Sequence, residues 1–228
     1  GQVGDNSTTQ RNTPTQVVGV GNVGTLAGIR DVTCGDNFTL AIKDSDGSVY
    51  GWGKQAYGML GNGQSSSSTS TPTSVILAGG SAVTGIIQVG GGGDFSAFLK
   101  SDGTVYGSGY NASGQVGNGT NTNVTTGLVQ VLGVGGSGNL TGITQIAVLE
   151  SHMLALKSDG TMYSWGTNNN GQNGLGTVGG TNPNTPVEIT ALTGVDTIGG
   201  EGKGYHFIAS KSDGSVYCWG RGDVGQIG

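Results

Sequence analysis

The chain has 228 residues, of which 49 are glycine and only 10% are charged, with 9 Lys plus Arg against 14 Asp plus Glu and a net charge of −5. Glycine far above its usual share of about 7%, without a Gly-X-Y period, excludes collagen; it also disfavours helix, where each glycine costs about 1 kcal/mol against alanine. No apolar run approaches the ~18 residues of a membrane span, the first residues carry no basic-then-apolar leader, and singly scattered cations leave no nucleic-acid footprint.

Short apolar bursts bounded by Gly, Asp, Asn and Ser predict many short strands. The first is expected at residues 13–18, opened by Thr13-Pro14, since an edge strand tolerates proline at its start. Then come an inner strand at 29–32, an apolar arm at 38–43, an Asp46-Gly47 turn, the alternating Val49-Tyr50-Gly51-Trp52, a Gly58-Met59-Leu60-Gly61 loop and a strand opened by Thr71-Pro72. The order repeats with an inner strand at 86–89, an arm at 95–100, Asp102-Gly103, Val105-Tyr106-Gly107-Ser108 and Gly114-Gln115-Val116-Gly117. It repeats again at 143–148 and 152–157, with Asp159-Gly160, Met162-Tyr163-Ser164-Trp165, Gly171-Gln172-Asn173-Gly174 and Thr185-Pro186. The last unit has strands at 195–198 and 206–211, Asp213-Gly214, Val216-Tyr217-Cys218-Trp219 and Gly225-Gln226-Ile227-Gly228.

The turn aspartates at 46, 102, 159 and 213 are therefore 56, 57 and 54 residues apart. Asp-Gly between alternating apolar arms reads as a hairpin with a type I′ turn. Each unit is then a four-stranded antiparallel sheet, and tandem sheets of about 50 residues predict an all-β propeller. Tyr50, Tyr106, Tyr163 and Tyr217, with Trp52, Trp165 and Trp219, are the expected blade core. Residues 1–228 form one repeat domain, whose first 32 residues supply an outer strand and the entry to the first full blade. The chain starts Gly1-Gln2-Val3-Gly4 and stops Gly225-Gln226-Ile227-Gly228, the same loop of the repeat, so its two ends hold complementary half-blades. Three arrangements follow: a closed four-bladed ring, part of a longer propeller, or strand donation between chains. Proteins avoid bare sheet edges, and donation that does not close gives a filament.

These motifs resemble the regulator of chromosome condensation repeat family, whose blade carries Gly-x-x-His-Ser/Thr-x-Ala-Leu, a Gly turn, Val-x-x-Trp-Gly and Gly-Gln-Leu-Gly. The family's histidine stands here as His152 and His206, but as Phe38 and Phe95 in the other repeats, and Ser108 replaces one tryptophan. The resemblance implies closure at about seven blades and permits guanine-nucleotide exchange on a small GTPase, contacts to chromatin, or inhibition of a secreted enzyme. The acidic balance and absent basic tail weigh against chromatin. No recognisable insertion for nucleotide exchange breaks the repeats. Inhibition would use aromatics on one loop rim, for which Tyr57, Tyr110 and Tyr205 are the loop candidates.

Other residues invite chemistry. Cys34 and Cys218, the only cysteines, would lie on neighbouring blades of a closed ring and are a candidate seam disulfide. His152 and His206 read as packed strand residues, without a recurring carboxylate cluster. Asp44-Ser45-Asp46-Gly47-Ser48 begins like a calcium loop, but Gln55 stands at its twelfth position, where glutamate is needed. Residues 90–93, four glycines, lack the Gly-Lys-Ser/Thr of a phosphate loop and suit close packing near the axis. Arg221-Gly222-Asp223 matches an integrin-recognition tripeptide, a match common by chance. Sequons begin at Asn6, Asn37, Asn111, Asn118, Asn123 and Asn139; all but Asn37, beside a buried strand, are candidate glycan acceptors. Residues 65–73 form a Ser/Thr tract. No catalytic, cofactor-binding or metal-binding set is expected, and no small-molecule substrate, nucleic acid or membrane insertion. Long, neutral, hydroxyl-rich loops point to a structural or protein-binding propeller on the cell surface or outside it, closest to bacterial or archaeal extracellular members and able to assemble with copies of itself.

Overall fold

A computed structural model describes residues 1–65 and 67–228. Ser66, within the Ser/Thr tract, lies outside the described residues.

Among the described residues, fifteen strands form four antiparallel sheets in a row. The first holds β1 (Ile29–Cys34), β2 (Phe38–Lys43), β3 (Val49–Lys54) and β4 (Ser68–Ser74). The second holds β5 (Ile86–Gly91), β6 (Phe95–Lys100), β7 (Val105–Gly109) and β8 (Val124–Gln130). The third holds β9 (Ile143–Val148), β10 (His152–Lys157), β11 (Met162–Gly166) and the short β12 (Val187–Glu188). The fourth has only β13 (Thr197–Gly199), β14 (His206–Ser210) and β15 (Val216–Gly220). The expected strand at residues 13–18 does not form; the segment makes a single bridge, Val18 to Thr25, because no neighbouring strand lies beside it. Among the described residues, no strand pairs with the outer edge of β15, and the first and fourth sheets share no strand.

Period-two alternation decides which blade each side chain meets. Phe38, Leu40, Ile42 and Val49 point downstream and pack on Ile86, Val89, Phe98 and Leu128 of the second blade. Phe95, Ala97, Leu99 and Val105 meet Ile143, Ile146 and Trp165 of the third. Leu154, Leu156 and Met162 meet Ile198, Phe207 and Ala209 of the fourth. Each sheet thus has a buried face on both sides, except at the ends of the row. The axial glycines do pack closely: a Cβ on Gly91 would lie 2.8 Å from the Gly35 Cα, and one on Gly92 would lie 2.7 Å from the Leu149 carbonyl.

The Asp-Gly hairpins form, but not with the expected turn. Only the glycines have positive φ, at 66° for Gly47, 79° for Gly103, 82° for Gly160 and 82° for Gly214; the aspartates do not. Gly103 N–H donates to the Lys100 carbonyl (2.9 Å) and Gly160 N–H to that of Lys157 (3.0 Å), a turn followed by a left-handed bulge residue. The Asp102 carboxylate accepts from the Thr104 amide (3.0 Å) and hydroxyl. That hydroxyl, foremost, holds its carboxyl below the usual range. Aspartate therefore serves as a side-chain acceptor and never needs the left-handed region.

The bulge glycine also joins blade to blade. The carbonyls of Gly47, Gly103 and Gly160 accept from the amides of Ile86 (3.0 Å), Ile143 (3.1 Å) and Val195 (3.3 Å) in the next blade. A Cβ on Gly103 would sit 2.9 Å from the Gly142 nitrogen, whereas one on Gly214 meets nothing within 4 Å. We expect Gly103→Val to destabilise by about 2–4 kcal/mol, from backbone strain plus overpacking. Gly214→Val should lose only the strain, about 1–2 kcal/mol. Equal falls in denaturant midpoint for the two variants would contradict this blade-to-blade role.

Candidate interaction surfaces

Successive antiparallel strands place the β1–β2 and β3–β4 types of connection at one end of every blade, and the Asp-Gly turns at the other. The first end is the loop end. Its long loops are wound around buried amides. Asn111, fully buried, donates from Nδ2 to Asn118 Oδ1 (3.1 Å) and to the carbonyls of Thr120 (2.9 Å) and Thr122 (3.1 Å), while its Oδ1 accepts from the Val116 amide (2.9 Å). Asn168 does the same with the Thr177 carbonyl (3.2 Å) and the Asn173 amide (3.1 Å). Asn111 is therefore corrected as a glycan acceptor: its amide is committed to the loop it folds. Asn6 and Asn139 are exposed, Asn118 and Asn123 half-buried, and Asn37 is exposed.

Aromatic side chains stand on this end. Tyr57 is 40% exposed and held at φ 60°, a left-handed conformation rare outside glycine and asparagine. Its ring lies 5.2 Å from that of Tyr110 at an interplanar angle of 59°. Beside them Lys54 pairs with Asp94 (2.8 Å), whose carbonyl takes the Tyr110 amide (2.9 Å). Tyr205 does not join this pair; Arg221 lies over its ring at 5.7 Å. The Arg221 guanidinium also pairs with Asp223, so the charges of the Arg-Gly-Asp tripeptide neutralise one another. Near the axis, Lys203 of the fourth blade reaches Asp36 of the first (2.7 Å). Burial, then the neighbouring Asp36, pushes the Glu150 carboxyl up, while Lys203 pulls it down. Arg11, Lys54, Lys100, Lys157, Lys203 and Arg221 are all in ion pairs. Among the described residues no group of three or more His, Cys, Asp or Glu is placed to hold a metal.

The fourth sheet is the last in the row, and no described blade packs on its downstream face. Ile208 and Val216 are 43% and 59% exposed, at positions where Leu40, Leu154, Val49 and Met162 are fully buried. Tyr217, expected in the core, faces the third blade beside Ala191 and Leu192 but is 40% exposed, because no described outer strand lies beside it in the fourth sheet, and Trp219 is half-buried; Trp52, Trp165 and Tyr163 are buried, Tyr50 and Tyr106 half-buried. Cys34 and Cys218 are both free thiols, so the expected seam disulfide is absent.

The two histidines differ. His206 is half-buried on the open face. His152 is fully buried, edge-on to Phe207 of the next blade with ring centroids 4.9 Å apart, and neither ring nitrogen has a partner. Burial alone drops its pKa to about 3.

A row of antiparallel repeat sheets, with loops gathered at one end, defines a tandem-repeat β-propeller architecture. The chain belongs to the regulator of chromosome condensation (RCC1) repeat family: one model of that repeat matches residues 1–42, 46–99 and 159–199, and a second matches 29–58, 86–115, 143–172 and 202–226. It is 32% identical over 200 residues to the ultraviolet-B receptor UVR8 of Arabidopsis thaliana, covering 86% of this chain and 42% of that protein. The structure resembles that of human WBSCR16 (TM-score 0.69, 25% identity, 84% of this chain and 47% of that one). It also resembles Prp20p of Saccharomyces cerevisiae (TM-score 0.68, 25% identity, 88% of this chain and 45% of that one), a protein studied for its binding to Gsp1p and histones. The chain spans less than half the length of each. These relatives are plant, human and yeast proteins; they lend no support to the expected closeness to bacterial or archaeal extracellular members.

The unpartnered nitrogens of His152 predict that His152→Phe stabilises the fold by about 1–3 kcal/mol, since Phe38 and Phe95 fill the same position in the other blades. Because the folded pKa lies below the unfolded value near 6.5, His152 costs stability as pH falls from about 6.5 towards 3. Urea midpoints across that range should fall more steeply for the parent than for the variant; parallel curves would contradict the assignment.

Proposed function

We propose that the chain is a non-catalytic, protein-binding part of a repeat propeller, working at the cell surface or outside it, with its recognition surface at the loop end. The carrying observation is Tyr57, whose exposed ring is held on strained left-handed backbone against Tyr110. Backbone strain of this kind persists where the surroundings over-determine it and clusters at functional sites, and tyrosine is favoured at binding hot spots. The pairing of cations with acids favours a protein partner over a polyanion. Protein binding by Prp20p supports the same reading. Extracellular placement is supported by composition: neutral, hydroxyl-rich loops and few charges.

The test is capture of surface or secreted proteins on immobilised chain. Tyr57→Ala with Tyr110→Ala should weaken the captured complex by about 2 kcal/mol, roughly thirty-fold in Kd, with the thermal midpoint retained. Undiminished capture by this variant would remove the loop-end assignment.

A further inference from the structure

Asparagine followed by glycine is the pair most open to spontaneous deamidation, because no Cβ shields the glycine amide. That pair occurs four times, at Asn62-Gly63, Asn118-Gly119, Asn170-Gly171 and Asn173-Gly174, and Asp-Gly, which closes the same ring more slowly, occurs in the four hairpin turns. The reaction needs two freedoms: a side-chain carbonyl able to turn onto the next amide, and an amide not already held by an acceptor.

The structure withholds one or both at all these pairs but one. Asn62 is tied at both ends of its side chain, with Nδ2 donating to Gln55 Oε1 (3.1 Å) and Thr73 Oγ1 (3.0 Å) and Oδ1 accepting from the Gln64 amide (3.1 Å). Asn118 Oδ1 accepts from Asn111 Nδ2 (3.1 Å) and from the Thr120 amide (3.2 Å) and hydroxyl (2.9 Å), and the Gly119 amide is held by the Asn184 carbonyl (2.9 Å). Asn173 is fully buried, bonded to the Ser164 hydroxyl (2.9 Å) and the Gly166 carbonyl (3.2 Å), and the Gly174 amide is held by the Gly171 carbonyl (3.1 Å). The turn aspartates are carboxylates, poor electrophiles, and each accepts from the amide two residues on, that of Ser48, Thr104, Thr161 or Ser215.

Asn170 differs. Its side chain makes no hydrogen bond among the described residues; only its main-chain amide is engaged, donating to Gln172 Oε1 (2.7 Å). The Gly171 amide is weakly held, because its acceptor, the Asn168 carbonyl, also takes the Gly179 amide at 2.8 Å and leaves Gly171 at 3.4 Å. In the second blade the equivalent Gly114 amide meets the Asn111 carbonyl at 2.9 Å. The other blades carry Tyr57, Ser113 and Val224 at the Asn170 position, none of which has a carbonyl side chain to offer.

We propose that Asn170 is the chain's site of spontaneous deamidation, a slow modification of the loop end at the third blade's counterpart of Tyr57. The Gly171 nitrogen attacks Asn170 Cγ and closes a succinimide; the Cγ–Nδ2 bond breaks and ammonia leaves, taking the Gly171 amide proton with it. Water then adds at one of the two ring carbonyls and leaves aspartate or isoaspartate. Either product adds a negative charge to the loop. Isoaspartate also inserts a methylene into the main chain between residues 170 and 171, inside the span closed by the Asn170 amide and Gln172 Oε1. The Gln172 carbonyl is the acceptor of the Trp219 indole (2.8 Å), so the isoaspartyl form loosens the contact between the third and fourth blades.

The test is to age the intact chain in mildly alkaline buffer, which favours loss of the Gly171 amide proton, with a parallel sample in urea. Peptide mapping by mass spectrometry then follows each site, with fragmentation to separate Asn170 from Asn173. In the folded chain Asn170 should convert at least about tenfold faster than Asn62, Asn118 or Asn173, the factor that one or two hydrogen bonds are worth. In urea, where those bonds are gone, the four rates should converge, and Asn170→Gln should remove the early conversion from the folded chain. Conversion in the folded chain at any other Asn-Gly as fast as at Asn170, or an Asn170 that stays intact while the urea sample converts, would overturn the proposal. Exchange of the Trp219 indole proton should quicken in the isoaspartyl fraction and not in Asn170→Asp, which has the charge without the methylene; equal exchange in the two would overturn the link to the blade contact.

Discussion

The row of blades depends on one repeated contact: a tryptophan indole N–H donating to the main-chain carbonyl of a glutamine in the preceding blade's loop. Trp52 binds Gln2 (2.8 Å), Trp165 binds Gln115 (2.9 Å) and Trp219 binds Gln172 (2.8 Å). The contact explains the loop sequence. The glutamine side chains of Gln115 and Gln172 turn back to accept from the amides of Ser113 (3.0 Å) and Asn170 (2.7 Å), which tightens the loop and presents the carbonyl outward. The closing glycine must have no side chain, because a Cβ on Gly117 would lie 2.6 Å from the Trp165 indole nitrogen, and its φ is +76°. Sheet pairing alone holds each blade together; this contact and the bulge-glycine carbonyl fix how one blade sits on the next.

The second blade shows what happens when the contact is removed. Ser108 replaces tryptophan, and its hydroxyl donates to the Gly58 carbonyl (2.8 Å). Ser96 donates to the Met59 carbonyl (2.6 Å), so the preceding loop keeps a capped carbonyl where an indole would have served. The lost volume is recovered by two changes at positions that are otherwise small or polar: Phe98, where the other blades have Ala41, Ala155 and Ala209, and Met59, where the other loops have glutamine. Both are fully buried. Three substitutions that look separate along the chain are one repacking event in space, volume-conserving as buried exchanges must be.

The fold was largely legible because each blade is local: turn glycines, alternation and spacing give hairpins, and hairpins at one spacing give blades. The arms at Phe38–Lys43, Phe95–Lys100 and His152–Lys157 fall where the pattern puts them. The misses share a physical cause, since each depends on a neighbour that local sequence does not display. Residues 13–18 carry a strand pattern but have no strand beside them, and Tyr217 carries a core pattern in a sheet with no described outer strand to cover it. The turn was misread because Asp-Gly serves two hairpin geometries, and an aspartate whose carboxylate accepts from residue i+2 settles at negative φ. Of the loop end, only the candidate tyrosines were visible; that Tyr57 meets Tyr110 while Tyr205 sits under Arg221 is a matter of loop path. A buried sequon such as Asn111 looks the same as an exposed one.

The central claim is that the indole N–H groups are locked into blade-to-blade hydrogen bonds. Hydrogen exchange of the three tryptophan indole protons, read by nuclear magnetic resonance, tests it most directly. Trp165, fully buried, and Trp52 should exchange only on global opening, and the half-buried Trp219 of the open blade should exchange faster. Exchange of Trp52 and Trp165 at the rate of a free indole would contradict the account.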